Sequence, residues 1–138
     1  KFFFYKQPDE MDCGPTCLRM VAKHYGKSIS LQQIRQLSST TREGSSLLGL
    51  SEAAEKIGFR TMGVKVSYEK ILEDAPLPCI AHWNQSHFVV IYKIKKDIVY
   101  IADPAHGDAR EGEARLRSRI HAQHRAPPAG RGLGVLRP

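Results

Sequence analysis

The stretch that decides the fold is residues 7–20, which read Gln-Pro-Asp-Glu-Met-Asp-Cys-Gly-Pro-Thr-Cys-Leu-Arg-Met. Apolar side chains recur behind Cys13 at helical spacing, which predicts a helix from about Cys13 to Tyr25 that stops at Gly26. Pro15 is compatible with the first turn of that helix, where its missing N–H is not needed. Cys13 therefore lies at the positive end of a helix dipole, which favours a thiolate. This stretch alone leaves two interpretations open, a nucleophile or a small buried apolar residue.

The composition is that of one soluble globular domain. The 138 residues are 41% hydrophobic and 25% charged. No run approaches the roughly 18 apolar residues of a membrane span, and residues 1–5 are too short for the core of a signal peptide. Of the net charge of +7, most lies in residues 109–138, with 7 Arg against 2 Glu, whereas residues 1–108 hold 14 basic against 12 acidic residues. The nearly balanced body, which has no basic stripe, argues against nucleic acid as a partner.

The cysteine count points to a reducing compartment. The chain has 3 cysteines, an odd number in no disulfide framework spacing. Cys13 and Cys17 lie four residues apart on one helix face and could form a metal pair with His24 or Cys79. Zinc sites, however, usually draw their paired cysteines from a tight knuckle. We therefore expect no metal site, and we expect Cys17 to be a core residue beneath Cys13.

The rest of the body predicts an α+β fold. Ser30 is expected to cap a second helix, with Gln33 three residues on as in a capping box, and a third helix is expected to end at Gly58. The apolar period then changes from helical to alternating, which is typical of strands. Helices first and antiparallel strands second form an α+β arrangement. The predicted elements are the third helix over 47–57, strands over 59–66, 79–83, 87–94 and 98–103, a short helix over 67–72 and a hairpin turn over 95–97.

From about Ala109 the sequence changes character. Arg, Ala, Gly and Pro dominate, and residues 126–132 are expected to form no packed element. We predict that residues 109–138 are disordered or foreign to the domain. Residues 1–108 then form the folded domain.

A thiol nucleophile needs a base and a group that orients the base. Of the 6 histidines, His87 is distinguished by the predicted hairpin. With the turn centred near residues 95–96, His87 faces position 104 and lies within about one residue of Asp103, whereas His82 has no carboxylate so placed. An Asp at that point can accept the imidazole N–H and stabilise the imidazolium. The alternatives are a surface or core histidine and an Asp that caps the turn before Pro104.

The oxyanion needs donors of its own. Gln7 carries a side-chain amide just before the nucleophile's helix, and with the backbone N–H of Cys13 it could bind a developing oxyanion. Taken alone, Gln7 is better explained as an ordinary loop amide.

Together these motifs carry a family resemblance. Gln7, Asp12-Cys13-Gly14, Leu18-Arg19-Met20-Val21, His87-Phe88-Val89-Val90 and Asp103-Pro104 follow one another as in the peptidase C39 domain, which the chain resembles over roughly residues 1–108. That domain is the cysteine protease module of bacteriocin-processing and peptide-secreting ABC transporters. The resemblance implies a papain-like fold with an N-terminal helical half and a C-terminal antiparallel sheet. By position, Cys13 matches the nucleophile, His87 the general base, Asp103 the orienting acid and Gln7 the oxyanion-hole side chain.

The resemblance also implies a substrate and partners. The family cleaves leader peptides after a Gly-Gly pair, on the cytoplasmic side of the bacterial inner membrane, before an ABC exporter moves the cargo. The expected partners are a double-glycine leader peptide and the membrane and ATP-binding domains of the exporter, with ATP used only there and no cofactor in the peptidase domain. Two other functions stay open, a non-catalytic leader-binding module and an acyl transferase that uses the same triad. The chain departs from the family after Gly107, where neither a return to the sheet nor a linker into membrane helices is evident.

Overall fold

The computed structural model describes residues 2–64, 77–83, 87–95, 98–105 and 131–137. Within these ranges, a single 3-10 turn, η1, leads into three helices, which are followed by strands of one sheet. The elements are η1 Glu10–Asp12, α1 Cys13–His24, α2 Leu31–Leu37, α3 Leu47–Lys56, β1 Arg60–Val64, β2 Cys79–Trp83, β3 His87–Lys95, β4 Ile98–Ala102 and β5 Arg131–Arg137. The predicted α+β fold is confirmed. In the described part of the chain, each helix is too short or too polar to pass through a bilayer.

Glycines end α1 and α3 as the sequence predicts. Gly26 has φ +83° and Gly58 has φ +104°, the left-handed conformation that glycine adopts without steric cost. After α3, the N–H of Gly58 donates to the carbonyl of Glu55 at 3.1 Å and that of Phe59 donates to the carbonyl of Ala54 at 3.0 Å. These two bonds form a Schellman motif, which satisfies carbonyls that the helix itself leaves open.

Serine side chains begin α2 and α3. The Ser30 hydroxyl accepts the backbone N–H of Gln33 at 3.1 Å, and the Ser46 hydroxyl accepts that of Gly49 at 2.9 Å. Each bond satisfies an N–H that has no partner inside its helix. The predicted cap at Ser30 is therefore confirmed.

The strands form an antiparallel sheet in the order β1-β5-β2-β3-β4. Alternate residues of β2 and β3 belong to different apolar clusters, as the two-residue period of a strand requires. Ile80, Phe88 and Val90 pack with buried residues of the three helices, whereas Ala81 and Val89 belong to a second cluster with Cys79, Ile91 and Ile101. The first cluster joins the helices to the sheet, and this contact places α1 against β3.

The hairpin of β3 and β4 differs slightly from the predicted register. Lys95 pairs with Ile98, and Ile91 pairs with Ile101, with an irregularity between Ile91 and Lys93. The residue numbers of two paired residues therefore add up to 193 near the turn and to 192 farther from it. A turn centred near residues 95–96, as predicted, would make them add up to about 191. The irregularity is a bulge, in which one strand contains an extra residue. No residue pattern in β3 predicted it.

The predicted exclusion of the C-terminal segment is wrong for residues 131–137. These residues form β5, which pairs with β1 on one side and with β2 on the other. Without β5, the backbone groups along those sides of β1 and β2 would have no strand partner. The apolar residues between the glycines of this segment are compatible with a strand, but the glycines and the arginine-rich surroundings concealed it.

Several predictions fall outside the described residues. They are the short helix over 67–72, the end of the first strand at 65–66 and the hairpin turn at 96–97. The boundary of the domain at residue 108 stays a prediction.

We predict that Gly49→Ala destabilises the domain. A methyl group at Gly49 would lie 2.4 Å from the backbone oxygen of Ser38, where α3 closely approaches the end of α2. Replacing glycine by alanine inside a helix normally stabilises it by about 0.5–1 kcal/mol, but here the overlap should lower the free energy of unfolding by about 1–3 kcal/mol. Urea unfolding measures the change, with Ser51→Ala on the same helix as the control. A Gly49→Ala variant as stable as the wild type would contradict the close approach.

Candidate active site

Cys13 is the first residue of α1, as predicted, and it lies close to the meeting point of helices and sheet. It is 5% exposed, and Cys17, one turn later, is fully buried in the core beneath it. Gly14 lets the neighbouring side chains come close, because a Cβ there would lie 2.8 Å from Leu50 and 3.3 Å from Phe88. In the described ranges, no group of three or more His, Cys, Asp or Glu side chains is arranged to hold a metal ion.

His87 and Asp103 meet across the β3–β4 hairpin. His87 begins β3, Asp103 follows β4, and Nε2 of His87 lies 2.6 Å from Oδ1 of Asp103. The Asp103 side chain is 1% exposed and that of His87 is 22% exposed. The same Oδ1 also accepts the backbone N–H of Ala105 at 2.9 Å. Asp103 thus caps a turn and also holds the imidazole, so the two interpretations of this residue are compatible.

The His87 ring also hydrogen-bonds Cys13. Its Nε2 meets Asp103, and the Cys13 side chain acts on the same ring. Burial by itself would lower the pKa of His87, but hydrogen bonds to Asp103 and Cys13, together with their negative charges, raise that pKa to about 9. At neutral pH the ring is therefore an imidazolium that lies between a carboxylate and the cysteine sulfur.

The other two thiols lie in apolar surroundings. Burial raises the pKa of Cys17 well above its usual value, and the charges of Cys13 and Asp103 raise it further. Burial also raises the pKa of Cys79, in β2, to about 12. Both side chains are therefore protonated thiols at neutral pH, as expected for cysteines that serve in packing.

Gln7 lies in the loop before η1 and is tied to the other half of the site. Its backbone N–H donates to the carbonyl of Pro104 at 2.8 Å, directly after Asp103. Its side-chain amide donates from Nε2 to the carbonyls of Asp9 at 2.9 Å and Glu10 at 3.4 Å. Oε1 is buried and makes no hydrogen bond with any residue that the structure describes.

The structure also shows a residue pair that sequence reasoning missed. Asp12, next to Cys13, is fully buried, and Arg35 of α2 binds both of its carboxylate oxygens. Hydrogen bonding to Asp12 raises the pKa of the Arg35 guanidinium above its usual value. An acidic residue beside the predicted nucleophile was visible in the sequence, but nothing in the sequence indicated a partner 23 residues away.

The other histidines have different surroundings. His82 stacks on Phe88, with ring centroids 4.3 Å apart and planes within 7°. His24, at the end of α1, contacts the rings of Phe2 and Tyr25. The remaining three histidines, at 106, 121 and 124, lie outside the described residues.

The chain is similar to proteins of a known family. A model of the peptidase C39 family matches residues 1–119. The lactococcin-G-processing and transport ATP-binding protein LagD of Lactococcus lactis subsp. lactis is 44% identical over 110 residues, which are 76% of this chain and 16% of LagD. The chain therefore spans about one sixth of the length of that relative.

Two solved structures extend the likeness to three dimensions. A double glycine motif protease from an AMS/PCAT transporter, in complex with the leader peptide, is 35% identical with a TM-score of 0.75, over 83% of this chain and 84% of that one. The peptidase domain of Streptococcus ComA, a bi-functional ABC transporter involved in a quorum sensing pathway, is 34% identical with a TM-score of 0.69, over 75% and 80% of the two chains. The predicted papain-like form of the α+β fold agrees with these likenesses.

We predict that an alkylating reagent such as iodoacetamide modifies Cys13 before the other two cysteines in the native protein. The imidazolium of His87 interacts with the Cys13 side chain, whereas burial raises the pKa values of Cys17 and Cys79 and keeps both thiols protonated. Peptide mass mapping after brief labelling at pH 7 measures the order, and Cys13→Ala should remove the fast labelling. Equal labelling of all three cysteines in the folded protein would argue against an activated thiol.

We also predict that protonation of His87 makes the free energy of unfolding depend on pH. The pKa of this group is about 9 in the folded protein and 6.5 without the fold. The protonated ring therefore contributes its full stabilisation below about pH 6.5, and this contribution is lost as the pH rises through about 9. Between these values, unfolding releases up to about one proton, because the unfolded chain holds the proton less tightly. Urea unfolding of the wild type and of His87→Gln measures it: the stability difference between the two should shrink over that range. Curves that stay parallel from pH 6 to 9.5 would contradict the raised pKa.

Proposed function

Since the chain belongs to the peptidase C39 family, we propose that it is a cysteine endopeptidase that removes double-glycine leader peptides. Cys13 is the nucleophile, and His87 is the general base and acid. Asp103 orients His87, and Gln7 supplies the oxyanion side chain. The observation that carries this proposal is that a single imidazole hydrogen-bonds a buried carboxylate and also interacts with a helix-terminal thiol. Covalent catalysis by a thiol requires this arrangement of nucleophile, base and orienting group.

In the first half of the reaction, the Cys13 sulfur attacks the carbonyl carbon of the second glycine. A C–S bond forms, and the carbonyl electron pair moves to oxygen. When the oxyanion collapses, the C–N bond breaks and the His87 imidazolium gives its proton to the leaving amine. The cargo peptide leaves with a free amino end, and the leader stays attached to Cys13 as a thioester.

In the second half, water attacks the thioester carbon. His87, now neutral, takes a proton from that water, and the C–S bond breaks. The leader leaves with a terminal carboxyl group, and the sulfur returns to its place beside the imidazolium. Asp103 accepts an N–H of His87 throughout, which keeps the other ring nitrogen directed at the sulfur.

The oxyanion is bound by two donors in this proposal. The backbone N–H of Cys13 is one of the N–H groups that the first turn of α1 leaves without an intrahelical partner. The Gln7 amide supplies the other donor. Its contact with the carbonyl of Glu10 is long, at 3.4 Å, so the N–H that makes this contact is the one that turns to the oxyanion.

The substrate class rests on the similar proteins. The solved relative that is a double glycine motif protease was crystallised with its leader peptide. A cleft too narrow for any side chain before the scissile bond would admit only glycine. An amphipathic leader helix would dock its apolar residues in a separate groove.

The same similarity suggests the setting of the reaction. LagD is a processing and transport ATP-binding protein of which this chain covers 16%. We propose that this chain is the peptidase domain of an ABC exporter and works on the cytoplasmic side of the membrane. Each proposed chemical step uses only groups of the protein itself and water, so the peptidase needs no cofactor, and ATP would serve only the transporter part.

We predict that Cys13→Ala abolishes cleavage of a synthetic peptide that joins an amphipathic leader helix, Gly-Gly and a short polar reporter. The wild type should cut after the second glycine, and Cys13→Ala should be at least about 10³-fold slower, because no other group can form the thioester. Cys79→Ala is the matched control and should keep activity within about threefold, since Cys79 is buried in the sheet.

Mass spectrometry of the products separates the alternatives. Hydrolysis leaves the leader with a free carboxyl group, whereas transfer to an added amine would give a heavier leader. A peptide with Ala-Ala in place of Gly-Gly should resist cleavage. Cleavage by Cys13→Ala at the wild-type rate would refute the proposed function.

A further inference from the structure

The pair formed by Arg35 and Asp12 joins α2 to the residue that precedes the nucleophile. Nε of Arg35 lies 2.6 Å from Oδ1 of Asp12, and Nη2 binds Oδ2, so the contact is bidentate. The Asp12 side chain is fully buried, and that of Arg35 is 30% exposed. A bidentate guanidinium fixes the direction of a carboxylate as well as its charge, which a lysine ammonium does not.

Arg35 also reaches the other end of the same turn. Its Nη2 lies 3.6 Å from Oδ2 of Asp9. Asp9 and Asp12 bracket η1, and the N–H of Asp12 donates to the carbonyl of Asp9 at 3.1 Å. One guanidinium therefore binds the carboxylate at one end of a single turn of backbone and forms a longer ion pair with the exposed carboxylate of Asp9 at the other end.

That turn carries the carbonyls that orient Gln7. The Nε2 group of Gln7 donates to Asp9 and Glu10, whereas Oε1 has no hydrogen-bond partner among the described residues. The polar contacts that set the direction of this amide are thus its two bonds to η1. If the turn shifts, no other hydrogen bond in the described part of the chain holds the amide in place.

We propose that Arg35 is a positioning residue, which sets the direction of the Gln7 amide by clamping the turn from Asp9 to Asp12. This inference rests on the proposed function, because it is the oxyanion role of Gln7 that gives the clamp its effect on rate. Buried ion pairs contribute little net stability compared with apolar pairs of similar size, because both charges lose their hydration. The fixed direction of the turn is therefore the larger contribution of this pair.

The test is a double-mutant cycle between residues 35 and 7. Arg35→Lys keeps the charge and loses the bidentate contact, so we expect kcat to fall about tenfold or more, with KM within about twofold. Gln7→Ala alone should lower kcat by about 10²–10³-fold. In the Gln7→Ala background, Arg35→Lys should change kcat by less than about threefold, because the group that it positions is already absent.

Arg42→Lys is the matched control. Arg42 is exposed in the loop between α2 and α3, and its replacement should leave kcat and KM unchanged in both backgrounds. The same loss of kcat for Arg35→Lys with and without Gln7 would overturn the proposal, as would an effect confined to KM. A double variant, Arg35→Met with Asp12→Asn, removes both charges and therefore leaves no buried carboxylate without a partner. Its kcat should fall as much as that of Arg35→Lys.

A second measurement does not depend on cleavage. The side-chain NH₂ signals of Gln7, assigned by their loss in Gln7→Ala, should exchange with deuterium faster in Arg35→Lys than in the wild type or Arg42→Lys. If the wild type fails to cleave the Gly-Gly peptide, the proposed function fails, and this exchange still decides whether Arg35 holds Gln7. Unchanged exchange in a folded Arg35→Lys protein would overturn the inference.

Discussion

The site depends on one imidazole that is held from both sides. His87 contacts a carboxylate that lies beyond β4 and a sulfur that begins α1, so the chemistry requires the helices and the sheet to keep a fixed separation. The core supplies that separation. Leu18 and Val21 of α1 belong to the same buried cluster as Phe88 and Val90 of β3, and close packing of such clusters leaves side chains little room to shift. The geometry of the proposed catalytic site is therefore set largely by apolar residues that have no chemical role in it.

Charge is the second constraint on the same ring. A buried histidine is ordinarily neutral, because burial penalises the charged form. Here two partners of opposite charge outweigh that penalty. Asp103 can do this because it is itself buried and receives a backbone N–H from Ala105, which helps a carboxylate to remain ionised away from water. The turn after β4 thus contributes to the charge state of a ring on β3.

Most of the elements that build this arrangement could be predicted from the sequence, because they depend on local rules. The cap at Ser30, the stops at Gly26 and Gly58, and the bounds of β2 follow from residue type and spacing. The predicted hairpin placed His87 within reach of Asp103 even though its register was slightly wrong, because the error left both residues at the same open end of the hairpin. The resemblance to a known family then gave each residue a role.

The features that could not be predicted from the sequence share a physical cause. Each depends on contacts between distant parts of the chain. Arg35 lies on a short helix where an arginine would ordinarily face solvent, and only the packing of α2 beside η1 gives it a buried partner. β5 has too many glycines to be recognised as a strand from its sequence, and its strand conformation accompanies pairing with β1 and β2. Local propensity carries no information about either circumstance.

The hydrogen bond from the Gln7 backbone to Pro104 joins residues near opposite ends of the catalytic sequence. During synthesis, Cys13 and its helix are made before Asp103 and Pro104, and a nascent chain that ends between His87 and Asp103 contains the thiol and the imidazole without the carboxylate. Such a fragment cannot form the hydrogen bond between His87 and Asp103. The proposed site can therefore be complete only after this late part of the chain has been added.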